Sequence, residues 1–274
     1  MSLISSFFNA INALYAKKIK EEITDNNSFI VVSFLYVAVF LGLSMPWFFF
    51  FHATPVSLAL VVLVILLDTL ANVLFFMSME RIEVSKLAVY SALTPLFTFL
   101  PNTILHGFNP HVLISVLVIV LGVYMLNMKN GNPLIPLLEL KKPGNLLGLA
   151  TAVVYGISMV PTQQILVHQW ANAPTLYFFR ACGIALLIYI CYRPRIWYPK
   201  ANPHLCLRGL TVIVQWLCLF TALHYADGTL VVSLAYTSPL FAVFLARIYF
   251  KEQITLGKLA ACCITIVGIL LTIY

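Results

Sequence analysis

A single acid interrupts an otherwise apolar run. Asp68 stands in V-L-V-I-L-L-D-T-L-A-N, with Asn72 one helical turn further on. An ionisable side chain in such a setting does one of two kinds of chemistry. It takes up and releases a proton, or, with Asn72 beside it, it holds a cationic or amino group of a ligand; the plain alternative is an inward-facing acid satisfied by neighbouring hydroxyls. Arg180, in Y-F-F-R, is the second charge inside an apolar run. It lies about six residues from the start of its run, close enough to an interface to snorkel or to make a structural ion pair, and otherwise to bind an anionic group. Residue counting sets Asp68 near the middle of its helix, at ~1.5 Å per residue, and Arg180 nearer an end. That difference in depth argues against the two pairing with each other.

Uncharged polar groups are patterned too. Ser5, Asn9 and Asn12 share one helical face, and so do Thr151, Tyr155, Ser158 and Thr162. An offset of 146 residues lays Ser5 on Thr151, Asn9 on Tyr155 and Asn12 on Ser158. Two matched stripes either line one shared, wet or ligand-filled space or bond helices together. Tyr90, Gln215, Trp216 and Tyr236 would add rings and amides to such a space, or else pack and anchor at the interface. The candidate substrate-binding set is therefore Asn12, Asp68, Asn72, Tyr90, Tyr155, Ser158, Arg180, Gln215, Trp216 and Tyr236.

Catalytic and metal chemistry find little support. The six histidines fall at helix ends or loops without ligand spacing, and the six cysteines read as small buried hydrophobes without C-x-x-C spacing. No G-x-x-x-x-G-K-[ST] loop offers a cradle for ATP. Neither a metal nor a cofactor is expected, and an intramembrane enzyme is the remote alternative.

The elements that must position these residues are membrane spans. Hydrophobic residues make up 62% of the chain and charged ones 9%, far less charge than a soluble domain carries. Ten stretches suit spans of roughly 17 to 25 residues, near 1–16, 28–51, 55–79, 84–105, 111–128, 145–167, 174–192, 205–224, 229–249 and 255–274. Fifteen of the sixteen Lys and Arg residues fall in alternate connections: Lys17, Lys18 and Lys20; Arg81 and Lys86; Lys129, Lys141 and Lys142; Arg193, Arg195, Lys200 and Arg208; Arg247, Lys251 and Lys258. By the positive-inside rule those loops are cytoplasmic and both termini lie outside. The net charge of +7 is loop punctuation rather than one basic face, so nucleic acid is not an expected partner. Nothing before the first apolar run looks like a cleavable leader.

The chain repeats itself. A-L-T-P-L-F at 92–97 recurs as Y-T-S-P-L-F at 236–241, and G-V-Y-M-L at 122–126 as G-I-L-L-T at 268–272. Since five spans is an odd number, the second copy enters from the opposite side, which predicts an all-α membrane protein of ten transmembrane helices in two inverted five-helix repeats, 1–128 and 145–274, joined by a Pro- and Gly-containing linker at 129–144. Pro95 and Pro239 take equivalent positions and invite kinks, as hinges or as fixed bends. Gly144, Gly148, Ala152 and Gly156 form a small-residue seam for close helix packing.

These motifs resemble the ten-helix, EamA-like branch of the drug/metabolite transporter superfamily. The resemblance is carried by A-L-H-Y-A at 222–226, S-L-A-Y-T-S-P-L-F at 233–241, K-E at 251–252 and G-I-L-L at 268–271, and more loosely by V-S-K-L-A-V-Y-S-A-L-T-P-L-F at 84–97. Arg180 also falls where that family often has an arginine, with Ser33 at the equivalent point of the first half. Glu252 has no clear counterpart between His106 and His111, a departure from a symmetric pattern. The resemblance implies two inverted halves around a central cavity. The expected activity is secondary transport of a small amphiphilic metabolite, amino-acid-like or nucleoside-like, by alternating access, with Asp68 as protonatable switch and a proton or other ion as coupling partner. A channel or facilitator without gradient coupling is the alternative. The expected location is a bacterial inner membrane, with membrane lipid as the surrounding partner.

Overall fold

The computed structural model describes residues 1–20, 22–82, 87, 90–126, 142–238, 240–241 and 256–271. Among these, ten helices follow one another: α1 (Ser2–Lys20), α2 (Asn26–Phe48), α3 (Pro55–Met79), α4 (Thr94–His106), α5 (Pro110–Leu126), α6 (Pro143–Val167), α7 (Ala173–Tyr192), α8 (Asn202–Tyr225), α9 (Gly228–Ala235) and α10 (Leu256–Leu271). Five of them, α2, α3, α6, α7 and α8, are long and apolar enough to cross a membrane. The distribution of side chains is inside out relative to a soluble protein. Leu43, Trp47, Leu66, Ile104 and Ile190 face outward, whereas Asn12, Asp68, Asn72, Ser158 and Arg180 are buried. Lipid accepts the first set, and only partners within the bundle accept the second.

Local chemistry sets the helix ends. Asp25 caps α2 by accepting from the Ser28 N–H at 2.7 Å, Thr54 and Ser57 form a reciprocal capping box at α3, and the Asn172 side chain accepts from the Thr175 N–H at the start of α7. Several bounds differ from the sequence expectation. α1 runs on through Lys20, so Lys17, Lys18 and Lys20 belong to its last turns rather than to a loop. α6 begins at Pro143, inside the segment read as linker, because proline at the first helical positions is favourable. Lys86, Lys129, Lys141, Pro239, Arg247, Lys251, Glu252, the linker through 141 and the stretch 242–249 lie outside the described residues.

The expected single helix over 84–105 is broken. Leu87, Tyr90 and Ser91 are helical, Ala92 and Leu93 form a turn, and α4 starts at Thr94 with Pro95 in its first turn. Proline lacks the N–H that a continuous helix would need there, so it starts a new helix instead of kinking an old one. At the break the ladder tightens to three-residue bonds, Leu93 N–H to Tyr90 O at 2.9 Å and Leu96 N–H to Leu93 O at 3.0 Å. The same pattern occurs 144 residues on, with Thr237 N–H to Leu234 O at 3.4 Å and Leu240 N–H to Thr237 O at 2.9 Å.

Helix pairing is organised across the halves. α3 packs on α6, and α8 packs on α1; α3 meets α7 while α8 meets α2; α4 meets α6 while α9 meets α1; α2 pairs with α7, α5 with α10 and α4 with α9. Exchanging the first five helices for the last five maps this set onto itself. Connections alternate between two ends. Phe51 bridges Ala171, and His52 N–H donates to Trp170 O at 2.7 Å, joining two connections that carry few charges. At the other end the Ser78 hydroxyl donates to Gly144 O at 2.8 Å, and Ala201 and Leu205 pack with Ile19 and Ile23 beside the basic connections.

The α5–α10 pair depends on two glycines. A Cβ at Gly122 would lie 2.7 Å from the Thr265 backbone nitrogen, and one at Gly268 would lie 2.8 Å from the Ile119 nitrogen. Gly268 is 146 residues after Gly122, as Thr265 is after Ile119, so the two contacts are counterparts. Gly122→Leu or Gly268→Leu is therefore expected to force the helices apart and cost about 1–3 kcal/mol. Thermal unfolding of detergent-purified protein should show both below wild type, with Gly257→Leu, where nothing lies within 4 Å of the added Cβ, unchanged.

Candidate functional site

α3, α6, α7 and α8 converge on one buried charge pair. Asp68 and Arg180 form an ion pair between Oδ2 and Nε, with side chains 0% and 1% exposed. This corrects the expectation that depth would keep them apart. Counting from each helix start neglects tilt and stagger, and an arginine side chain spans several ångströms of depth by itself. Arg180 does not snorkel; it makes the structural ion pair that was the other half of its expectation. It is the cation that Asp68 meets, in the place where a ligand's amino group was one expectation.

The pair is held on both sides. The Ser158 hydroxyl on α6 donates to Asp68 Oδ1 at 2.6 Å. The Arg180 guanidinium carbon stands 3.6 Å from the centre of the Trp216 ring, with Phe220 at 5.7 Å and Tyr177 at 6.0 Å. Those three rings pack on one another, Tyr177 near-parallel to Trp216 at 6.1 Å and Phe220 edge-on to both. An aromatic wall of this kind favours a guanidinium electrostatically while keeping water away. Tyr155, Tyr177 and Tyr236 are close enough to interact electrostatically with both Asp68 and Arg180.

A second polar cluster adjoins the first through α8. The Asn12 amide donates to Gln215 Oε1 at 2.5 Å, and the Thr211 hydroxyl donates to Asn12 Oδ1 at 2.5 Å. Ser158 follows Asn12 by 146 residues, and Gln215 follows Asp68 by 147. Asn12–Gln215 and Ser158–Asp68 are thus counterparts, each linking a helix of one half to a helix of the other. α1 adds two further bonds across the halves, Ser6 to Thr237 at 3.0 Å and the Asn9 amide to Ser238 Oγ at 3.1 Å, both at the interruption that follows α9.

The remaining candidates are less central. The Asn72 amide donates to the Asp68 carbonyl at 2.8 Å, so its side chain serves its own helix rather than the carboxylate. Tyr90 is buried against α6, its ring 2.9 Å from where a Cβ on Gly148 would lie, and so belongs to the glycine seam. Of the polar stripes, Thr151 and Thr162 bond to carbonyls of α6 itself, whereas Asn9, Asn12 and Ser158 bond across helices. Sequence reasoning missed Thr211, Tyr177 and Phe220. Thr211 was legible, lying four residues before Gln215 on one face; the rings were not, in a chain where aromatics are everywhere. Two clefts open at the end away from the basic connections. One of about 450 Å³ is lined by Leu166, Asn172, Thr221 and His224 among others, and one of about 190 Å³ by Asn102, Asp227 and Thr229 among others.

Together these features define a polytopic helical membrane protein whose two halves meet along buried polar contacts. Residues 1–128 and 142–274 each match the model of the EamA-like transporter family. The chain belongs to that family and is a membrane transporter of the drug/metabolite type. Among solved structures, one described only as "Crystal structure of protein" superposes with a TM-score of 0.72 over 99% of this chain and 95% of that one, at 15% identity, a likeness of fold alone. The sequence matches no curated protein.

The paired burial has a measurable consequence. Arg180→Gln leaves Asp68 charged and unpaired, a loss of about 3–5 kcal/mol for a buried pair, whereas Asp68→Asn combined with Arg180→Gln removes both charges. Melting curves in detergent should place the double variant above the Arg180→Gln single; the reverse order would mean that the two charges are not coupled.

Proposed function

We propose that this chain is a secondary transporter that moves a small amphiphilic metabolite, amino-acid-like or nucleoside-like, by alternating access between two inverted five-helix halves. The observation that carries this reading is the matched pair of cross-half contacts, Asn12–Gln215 and Ser158–Asp68, flanking one buried ion pair. Such contacts can exchange partners as the halves rock, and sites of this kind lie at repeat interfaces. The pairing set that survives exchange of the halves supports the inverted arrangement. In this reading all ten helices span a bacterial inner membrane, with the basic connections in the cytoplasm and both termini outside.

Asp68 is the switch. A proton on Asp68 releases Arg180, and loss of the proton restores the pair; Ser158, Tyr155, Tyr177 and Tyr236 are the other groups around it. Asn12, Tyr155, Gln215, Trp216 and Tyr236 orient the cargo, and Asn72 and Tyr90 support the helices that carry them.

In vesicles, wild-type uptake of a stabilising metabolite should be saturable, show counterflow and vary with pH. Asp68→Asn should abolish net uptake, or remove its pH dependence, while the protein remains folded. Flux linear in concentration would indicate a channel, and uptake by Asp68→Asn with the wild-type pH profile would remove Asp68 from the switch. For topology, accessibility tags at residues 52–54 and at 193–200 should report opposite compartments; one shared compartment would break the alternation.

A further inference from the structure

Arg208 reads in the sequence as one more cytoplasmic loop charge, yet it lies on the second turn of α8, half-buried, its guanidinium carbon 5.0 Å from the centre of the Phe29 ring. Its Nε is enclosed without a hydrogen-bond partner among the described residues, and Tyr155 and Tyr177 feel its charge. Arg180, further along, commits Nε to Asp68 and leaves Nη1 and Nη2 enclosed without partners among the described residues. The Tyr177 hydroxyl is likewise enclosed and unpartnered among them, and it interacts electrostatically with both arginines.

Apart from the neutral Tyr177 hydroxyl, and Asp68 Oδ2, which meets Arg180 Nε, the enclosed groups here are guanidinium N–H donors. Buried N–H groups on a cation are costly when nothing accepts from them. Among the described residues Tyr177 interacts electrostatically with two guanidinium groups, Arg180 and Arg208, and with one carboxylate, Asp68. What would balance this centre is an oxyanion. Nη1 and Nη2 present the end-on fork that grips two oxygens of a carboxylate or phosphate. Trp216, Phe220 and Tyr177 make the adjoining surface apolar and aromatic.

Resting on the transporter reading above, we propose that the cargo carries a carboxylate or phosphate on an aromatic or otherwise apolar body, and that Arg208 and Arg180 are successive stations for it. Arg208 receives the anion near the basic end. Arg180 then holds it through Nη1 and Nη2, while Asp68 on Nε fixes the plane of the guanidinium. Trp216, over which the Arg180 guanidinium lies, is eight residues after Arg208, about 12 Å along α8, so the two stations are separate.

The test uses full-length protein in detergent and in vesicles, with a panel of aromatic and aliphatic acids, the amide of each, and the matching monophosphates. At least one acid or phosphate should raise the melting temperature where its amide does not, and the stronger of the two classes identifies the anion. Since Arg180→Gln by itself risks misfolding, affinity is compared in the Asp68→Asn background. There Arg180→Gln should weaken binding of the stabilising anion at least tenfold, and Arg180→Lys less. Arg208→Gln, which strands no acid among the described residues, should slow uptake from the basic side severalfold while shifting binding under threefold. Amides that stabilise as well as acids, no stabilisation by any anion, or affinity indifferent to Arg180 would overturn the proposal. Saturable counterflow of a neutral compound with no anion binding would sink the anion stations and spare the transporter reading. Arg180-dependent anion binding without saturable flux would do the opposite.

Discussion

A carboxylate and a guanidinium buried in the interior of a membrane bundle constrain everything around them. Leaving either Asp68 or Arg180 without the other costs about 3–5 kcal/mol, because the medium offers no water to solvate a lone charge. α3 must therefore run beside α7, α6 must bring Ser158 to the second carboxylate oxygen, and α8 must lay Trp216 over the guanidinium. A buried ion pair adds little net stability over apolar residues of the same shape.

The interface between the halves uses two kinds of contact with different physics. α5 and α10 approach so closely that Gly122 and Gly268 admit no side chain, a steric contact that tolerates little sliding. α1 meets α8, and α3 meets α6, through Asn12, Gln215, Asp68 and Ser158, whose hydrogen bonds can change partners at small cost. The interruptions at 92–93 and 236–237 lie where α4 and α9 contact the other half. Three-residue turns there let one end of a span move without dragging the other. A close-packed pair, a hydrogen-bonded seam and two interrupted helices thus meet at the boundary between the repeats.

Much of this could be read from residue order. The alternation of basic connections, the repeat at 92–97 and 236–241, the glycine seam on α6 and the isolation of Asp68 are all local signals, since span length, charge bias and helical spacing act on neighbouring residues. The breaks near the prolines were half legible: a proline announces a disturbance but does not say whether the helix bends or stops. Depth was the weak point. Arg180 and Asp68 looked separated because counting along a helix assumes that all helices stand upright and start at one level. Arg208 was counted with a basic connection although the expected span at 205–224 already contained it, because the charge bias was tallied by connection and not by position along the helix.

By itself the sequence determined the medium and the presence of two repeats, because lipid penalises every unpaired polar backbone and side-chain group and so restricts composition directly. Tertiary structure alone decided who meets whom. Asp68 lies 112 residues before Arg180 and 90 before Ser158, and Asn12 lies 203 before Gln215. Contacts at such separations depend on tilt, stagger and side-chain reach, quantities that exist only once the helices have packed.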